Sequence, residues 1–390
     1  MTLPFEESQR LKKLPPYLFL EIDRAKRRAV EKGVKVIDLG VGDPDQPTPE
    51  FIQKAMIRAV KAPQNHHYPL DRGSVLFRQA VSAWCKKRFG VLFDAESEIL
   101  PLIGSKEGIA HLPLAFLNPG DVSLVPDPCY PPYKSGTHFA GGITHLMPLK
   151  ETNGFLPDLD AVPPGVLKQA KLVYINYPNN PTGAVAPRPF YEKLVKWATQ
   201  HKLLIASDLA YSEVYFGKER PLSIFEIAGA REVAIEFHSL SKTCNMTGWR
   251  VGFAIGRAEL ISALLRVKSN IDSGVFTAVQ VTAIEALKNS FGFSKKTNLL
   301  YRRRRDILVA GLKALGFPVK PNPATFYLFT RLPGAARDSM HFCRDLLENT
   351  GIVATPGVGF GVSGEGYVRF ALTVSEPLIR EAIARMKKAF

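Results

Sequence analysis

The sequence predicts an α/β protein built on a mostly parallel sheet, followed by a smaller α+β domain. Three observations predict it. Apolar runs rich in β-branched residues alternate with amphipathic stretches, the pattern of strands and crossover helices. Gly and Pro, 30 of each, stand as single punctuation marks with no internal repeat or low-complexity segment. The 390 residues also exceed the roughly 250–300 at which one hydrophobic core stops growing, so two domains are expected.

Taken in order, residues 1–45 form an N-terminal arm that contributes to the small domain and carries the apolar run Val36–Leu39. Residues 46–285 form the large domain. There an amphipathic stretch at Ser74–Phe89 precedes the run Ile99–Ile103, which passes through Gly104-Ser105-Lys106-Glu107-Gly108 into the helical pattern Ile109–Leu117. Val122–Val125, Leu172–Ile175, Leu203–Ala206, Val233–Phe237 and Val251–Ile255 read as buried strands, with Pro189–His201 and Glu259–Lys268 as helices. Residues 286–390 form the small α+β domain: a basic helix near Asn298–Leu315, a strand at Tyr327–Thr330, a helix at Ser339–Thr350, a strand at Tyr367–Leu372 and a closing helix from Glu376.

The composition, 46% hydrophobic and 22% charged, is that of a folded soluble chain and excludes a disordered or fibrous one. Four scattered cysteines, with no C-x-x-C pair, argue against a zinc site or a disulfide framework and for a reducing cytoplasm. No signal-peptide core and no membrane-spanning stretch is visible, so no membrane partner is expected. A net charge of +15 favours anionic partners. The run Arg302-Arg303-Arg304-Arg305 raises a nucleic-acid reading, but no helix-turn-helix, zinc or RNA-binding signature accompanies it. The run is better read as a solvated or dimer-facing side of a helix, and no nucleic-acid partner is expected.

Open parallel sheets bind ligands at the carboxyl ends of their strands, so polar residues just past the apolar runs carry most weight. Asn180, Asp208 and Lys242 each follow such a run. Lys242, flanked by hydroxyls in Ser239-Leu240-Ser241-Lys242-Thr243 and eight residues before Arg250, is placed to be a desolvated amine able to form a Schiff base; taken singly it reads as a loop lysine. Asp208, three residues before Tyr211, is either a helix N-cap or a buried carboxylate in need of a cationic or donor partner. The Gly104–Gly108 turn can hold a phosphate on free amides, or be an ordinary capped helix start. Arg369, inside the apolar strand Gly366–Leu372, suggests a bidentate carboxylate clamp.

Jointly, Asn179-Asn180-Pro181-Thr182-Gly183, Asp208-x-x-Tyr211, Ser239-x-Ser241-Lys242, Arg250 and the late Arg369 occur in the order found in class I pyridoxal-phosphate aminotransferases. The chain resembles that family over nearly its whole length, from Leu39-Gly40-Val41-Gly42-Asp43-Pro44 to the C-terminal helix. The resemblance implies the fold-type-I architecture and pyridoxal 5'-phosphate as cofactor, with no metal. It makes Lys242 the lysine that binds the cofactor covalently and shuttles the proton, Asp208 the partner of the ring nitrogen, and Tyr211 and Asn180 the hydrogen-bonders of the ring's phenolic oxygen. Tyr130 would stack on the ring, and Ser105, Lys106, Ser239, Ser241 and Arg250 would hold the phosphate. Tyr68 would reach the phosphate of the opposite subunit, implying a homodimer.

For the substrate, Arg369 would clamp the α-carboxylate, while Tyr17, Gly42, Lys106, Tyr130 and Asn180 would make further contacts. Within the class, Pro16-Tyr17-Leu18-Phe19, Gly104–His111, the segment from Pro126 to Tyr133 and Asn153–Asp158 are similar to the branch that acts on LL-diaminopimelate. That branch implies small amino-acid and 2-oxo-acid substrates. A substrate with an amino acid at both ends needs an acceptor for its distal ammonium; Asp71, three residues after Tyr68, is the candidate, contributed from a partner subunit, or else a charge at the start of the helix near Ser74. Aspartate or aromatic aminotransfer, or β-elimination on the same scaffold, are the alternatives. Two departures stand out: Ala324-Thr325-Phe326 where Gly-Gly-Phe is common in the class, and Cys129 where glycine would be easier beside Pro128.

Overall fold

Twelve strands organise the described residues of the computed structural model, which are 5–14, 18–69, 71–334 and 338–389. They are β1 (Ile37–Asp38), β2 (Ile99–Leu102), β3 (Val122–Asp127), β4 (Ile143–Pro148), β5 (Ala170–Ile175), β6 (Leu204–Asp208), β7 (Ala234–Ser239), β8 (Gly252–Gly256), β9 (Tyr327–Arg331), β10 (Ile352–Val353), β11 (Thr355–Pro356) and β12 (Tyr367–Ala371). Seven form the central sheet in the order β2-β8-β7-β6-β5-β3-β4. Only β8 runs against the rest, pairing antiparallel with both β2 and β7. β7 is buried along its whole length because helices cover both faces of the sheet, which is why the inner strands read as continuous apolar runs.

This topology decides where polar groups meet. The carboxyl ends of β2, β5, β6 and β7 lie along one edge together with the start of the reversed β8, so the segments following Leu102, Ile175, Asp208 and Ser239 and those preceding Gly252 face one crevice. Across it stands a three-stranded antiparallel sheet, β11-β12-β9. Its apolar face packs against residues of the long helix Thr277–Ala314 and the closing helix Glu376–Ala389. Gly311 lets those two helices approach: a Cβ there would lie 2.4 Å from Ile383.

The run at Val36–Leu39 pairs with the C-terminal part of the chain: β1 lies parallel with β10, and the amide of Ala371 donates to Leu39 O. Two expectations change. The edge strand β4 escaped the sequence reading because Thr144 and His145 interrupt its apolar character, as an edge exposed on one side permits. The helix read near Asn298–Leu315 is the second half of 38 continuous residues that run through position 285, since its first half is buried on several sides and shows no clean amphipathic stripe.

The arginine run is also not a single solvated or dimer-facing side. At 100° per residue the four side chains fan around the helix. Arg304 is buried and makes a bidentate pair with Asp45 at 2.6 and 2.8 Å, while Arg303 meets Glu376 at 3.2 Å. Arg305 binds Asp306 and Asn322 O, and Arg302 remains exposed. Among the described residues the four cysteines are free and buried, and no helix is long and apolar enough to cross a membrane.

Candidate active site

At the crevice lies a cavity of about 280 Å³ whose walls come from both sheets. Lys242 rises from its floor on the short turn of helix that follows β7. Its Nζ donates to Gly42 O at 3.1 Å and stands 5.5 Å from the centre of the Phe326 ring. Burial disfavours the charged ammonium and, with Arg250 and Arg369 adding positive charge and only Asp43 opposing, lowers the amine to about 8.

Asp208 ends β6 and is buried. Its Oδ2 accepts from Tyr133 Oη at 2.7 Å and its Oδ1 from the amide of Ala210 at 3.3 Å. Burial raises the carboxyl to about 6, against the lowering pull of those donors and of His238. Asn176 fixes the neighbouring backbone by donating to Asp208 O at 2.7 Å while accepting from the amide of Asn180 at 2.8 Å. The density of Asn in that turn thus has a structural purpose. Tyr211 Oη lies 3.0 Å from Tyr327 Oη, and burial pushes its hydroxyl well above the ordinary range.

On the opposite wall Arg369, in β12, is buried and flanked by the rings of Tyr327 and Phe360, 4.1 and 4.6 Å from its guanidinium carbon. Its Nη1 donates to Asn180 Oδ1 at 2.9 Å and its Nη2 to Gly40 O at 2.7 Å. Gly42 is glycine for a visible reason: a Cβ there would sit 1.9 Å from Tyr327 Oη.

The remaining end is a cup of small residues and hydroxyls. Gly104 has φ +73°, and a Cβ on it would meet Arg250 Nη2 at 2.4 Å; one on Gly252 would lie 2.9 Å from the amide of Ser105. Ser105, Ser239 and Ser241 line this end. Arg250 adopts φ +55°, a backbone strain of about 1–3 kcal/mol that concentrates at functional sites, and donates from Nη1 to Thr247 O at 2.7 Å.

Of the residues singled out from sequence, the cavity brings together Gly42, Lys106, Tyr130, Asn180, Tyr211 and Arg369 with Lys242, Asp208 and the cup. Tyr68 and Asp71 are not among its walls: Tyr68 is 90% exposed, beside a shallow surface dip with His67 and Phe276, and Asp71 is exposed in a turn. Tyr17 lies outside the described residues. The sequence reading missed Asn176, Tyr327, Phe360 and Tyr133. The first three lie in segments whose chain partners are remote in sequence; Tyr133, in Tyr130-Pro131-Pro132-Tyr133, could have been found as the residue one turn beyond Tyr130. Thr325 takes φ +65°, the conformation the Gly-Gly-Phe pattern would ease, with its Oγ1 accepting from the amide of Tyr327 at 3.2 Å. The backbone of Cys129 needs no glycine; its amide donates to Phe360 O at 2.9 Å.

A chain of this fold, with a lysine, an aspartate and an arginine converging between two sheets, has the layout of an aminotransferase, and residues 34–386 match the family described as aminotransferase class I and II. The chain belongs to that family, and its fold is fold type I. It is 53% identical over 383 residues to an LL-diaminopimelate aminotransferase of Aquifex aeolicus, covering 98% of this chain and 99% of the relative. It is 52% identical over 386 residues to the enzyme of the same name from Syntrophobacter fumaroxidans, covering 99% of each. Among solved structures, substrate-bound BacF from Bacillus subtilis superposes with a TM-score of 0.96 at 35% identity, over 99% of this chain and 98% of that one.

Proposed function

We propose that the chain is a pyridoxal 5'-phosphate-dependent aminotransferase that moves an amino group between LL-diaminopimelate and 2-oxoglutarate, forming tetrahydrodipicolinate and glutamate. In the cell it runs in reverse, toward LL-diaminopimelate for lysine and peptidoglycan. One observation carries the chemistry: an amine lowered to about 8, a buried carboxylate raised to about 6 and a buried arginine share one cavity. The names of relatives at about half identity over nearly the whole chain supply the substrate.

The residues suit the cofactor. The cup at Gly104 and Gly252 is space that a single Cβ would fill, ringed by hydroxyls and an arginine as a phosphate requires. Asp208 is a buried carboxylate whose hydrogen-bond partners are a phenol and an amide, so a protonated ring nitrogen completes its environment. When bound, the cofactor supplies an aldehyde for an amine and an electron-withdrawing ring for the substrate's α-carbon.

The chain's own residues do the rest. Lys242, an amine with a pKa of about 8, takes the proton from the substrate α-carbon and returns it on the other side of the exchange. Asp208, steered by Tyr133, would hold the proton on the ring nitrogen of the bound cofactor, while Tyr211 and Asn180 would donate to its phenolic oxygen and Tyr130 would stack on its ring. Arg369, already fixed by Asn180 and Gly40, presents its guanidinium to the α-carboxylate, with Gly42 and Lys106 nearby. Tyr68 and Asp71 serve the cavity of a second copy, at the cofactor phosphate and at the distal ammonium, so the active unit is a cytoplasmic homodimer. Residues 46–285 act as the cofactor-binding domain, and 286–390 with the arm 1–45 as the smaller one.

The test is an assay of the purified holoenzyme with 2-oxoglutarate and, in turn, LL-diaminopimelate, aspartate and phenylalanine, with pyruvate release monitored alongside. Glutamate formation from LL-diaminopimelate well above the other donors is expected. Preference for aspartate or phenylalanine, or pyruvate release, would replace the substrate assignment. A protein that takes up no pyridoxal phosphate would remove the whole reading.

A further inference from the structure

Away from the cavity, a concavity of about 690 Å³ opens between the middle of the long helix and the loop that follows Tyr211. Lys87, Lys218, Arg220, Lys295 and Arg302 line it, and all five are exposed. Its one acidic wall residue, Glu213, is buried and already held by Arg88 at 2.7 Å. Glu219, between two of the cations in sequence, is not part of the wall. Lys295, Asn298 and Arg302 recur at helical spacing and so share one face of Thr277–Ala314.

Beneath these charges the wall is incompletely satisfied. Ser294 is 5% exposed, and its Oγ meets no hydrogen-bond partner among the described residues; the same is true of the buried Oδ1 of Asn298 in the same wall. Such groups cost about 1–3 kcal/mol each when left unmet. Five like charges around a concavity also repel one another and focus a positive potential into it.

We propose that this cleft is a second anion-binding site, taking a compact small molecule that carries two or more phosphate or carboxylate groups. The cations neutralise it, Arg220 and Arg302 can each engage two of its oxygens, and Ser294 Oγ can donate to a third. A half-turn of the Asn298 amide presents its NH₂ in the same way. The aromatic walls are not free platforms for a base: Lys87 Nζ sits 5.1 Å over Phe291, and the guanidinium of Arg305 4.9 Å over Phe216. A compact polyanion therefore fits better than a stacked nucleic-acid strand. The loop side of the cleft leads back to the active site, since the amide of Phe216 donates to Pro323 O four residues before Tyr327.

Calorimetric titration of the purified protein with inorganic pyrophosphate at low salt tests the site, with citrate as the carboxylate arm and a short DNA duplex as the macromolecular one. Binding should weaken about tenfold or more in Lys295→Ala/Arg302→Ala and about threefold in Ser294→Ala, which removes no charge. It should be unchanged in Lys387→Ala/Lys388→Ala, which removes two remote charges. Stronger binding by pyrophosphate than by citrate identifies phosphate as the preferred group, and the reverse identifies carboxylate; either supports the site. Equal weakening in the two double variants, undiminished binding in the cleft variant, or a duplex that binds more tightly than both small anions would overturn it.

Discussion

Two regions of the molecule hold a lysine away from bulk water, and they treat it in opposite ways. Lys268, at the end of the helix Ala258–Lys268, is fully buried, and its Nζ meets both Glu107 oxygens at 3.1 Å and Asp272 Oδ1 at 2.6 Å. Those carboxylates accept in turn from the amides of Ile103 and Gly274, so the cluster ties the helix after β2 to the loop after Lys268. Lys242 has no such company. A carbonyl is its hydrogen-bond partner, and the charges nearest it are two arginines and the exposed Asp43. Burial with paired charge makes a lysine a structural tie; burial without it makes a weakly protonated amine.

The largest effect that would sharpen this contrast is chemical. Lys242→Ala should lower turnover by roughly four orders of magnitude or more while melting near the wild-type temperature. Near-normal turnover, measured as glutamate formation, would erase the distinction. Asp208→Asn should cost roughly two to three orders of magnitude in kcat with the fold intact, because the neutral amide cannot hold the ring-nitrogen proton.

Lys268→Met should do the opposite of Lys242→Ala. It strands two carboxylates and should destabilise the protein by roughly 3–5 kcal/mol in denaturant melts, while kcat per folded enzyme stays within a few-fold. A thermally normal but inactive variant would reverse the roles assigned to the two lysines.

Two pH effects are smaller. The rate at which apoprotein takes up pyridoxal phosphate should rise as pH passes through about 8, where Lys242 loses its proton, and a rate flat from pH 7 to 9 would contradict it. Asp208 in the fold keeps a proton that the unfolded chain has lost between about 4 and about 6. Its contribution to apoprotein stability therefore falls as pH rises through that window, by up to about 3 kcal/mol, and Asp208→Asn should abolish this slope in urea melts. Least affected should be Tyr327→Phe, which removes one hydroxyl partner of Tyr211 and should cost about 1 kcal/mol, read as a few-fold change in kcat/KM.

Sequence reading reached the residues that stand where a strand ends. Asp208, Lys242 and Asn180 were visible because apolar runs point at them, and Arg369 because a charge inside an apolar strand has to be explained. Contacts that join remote segments were not visible: Tyr327 against Gly42, Asn176 beneath Asp208, Phe360 over Arg369. Each is an ordinary residue until folding sets a partner a few ångströms away. The two lysines make the point most sharply: both follow apolar stretches, and although flanking hydroxyls and Arg250 single out Lys242, nothing in the local sequence around Lys268 shows that the remote Glu107 pairs with it.

By itself the order of apolar runs and turns determined an α/β chain with a parallel sheet and the edge at which polar residues would gather, because strand period and chain direction are local properties. Tertiary structure alone decided which charges face each other across the crevice, that Lys268 is paired with carboxylates while Lys242 is not, and that four consecutive arginines serve separate purposes. Those outcomes depend on distances between elements far apart along the chain, and electrostatic energy is set by distance and burial.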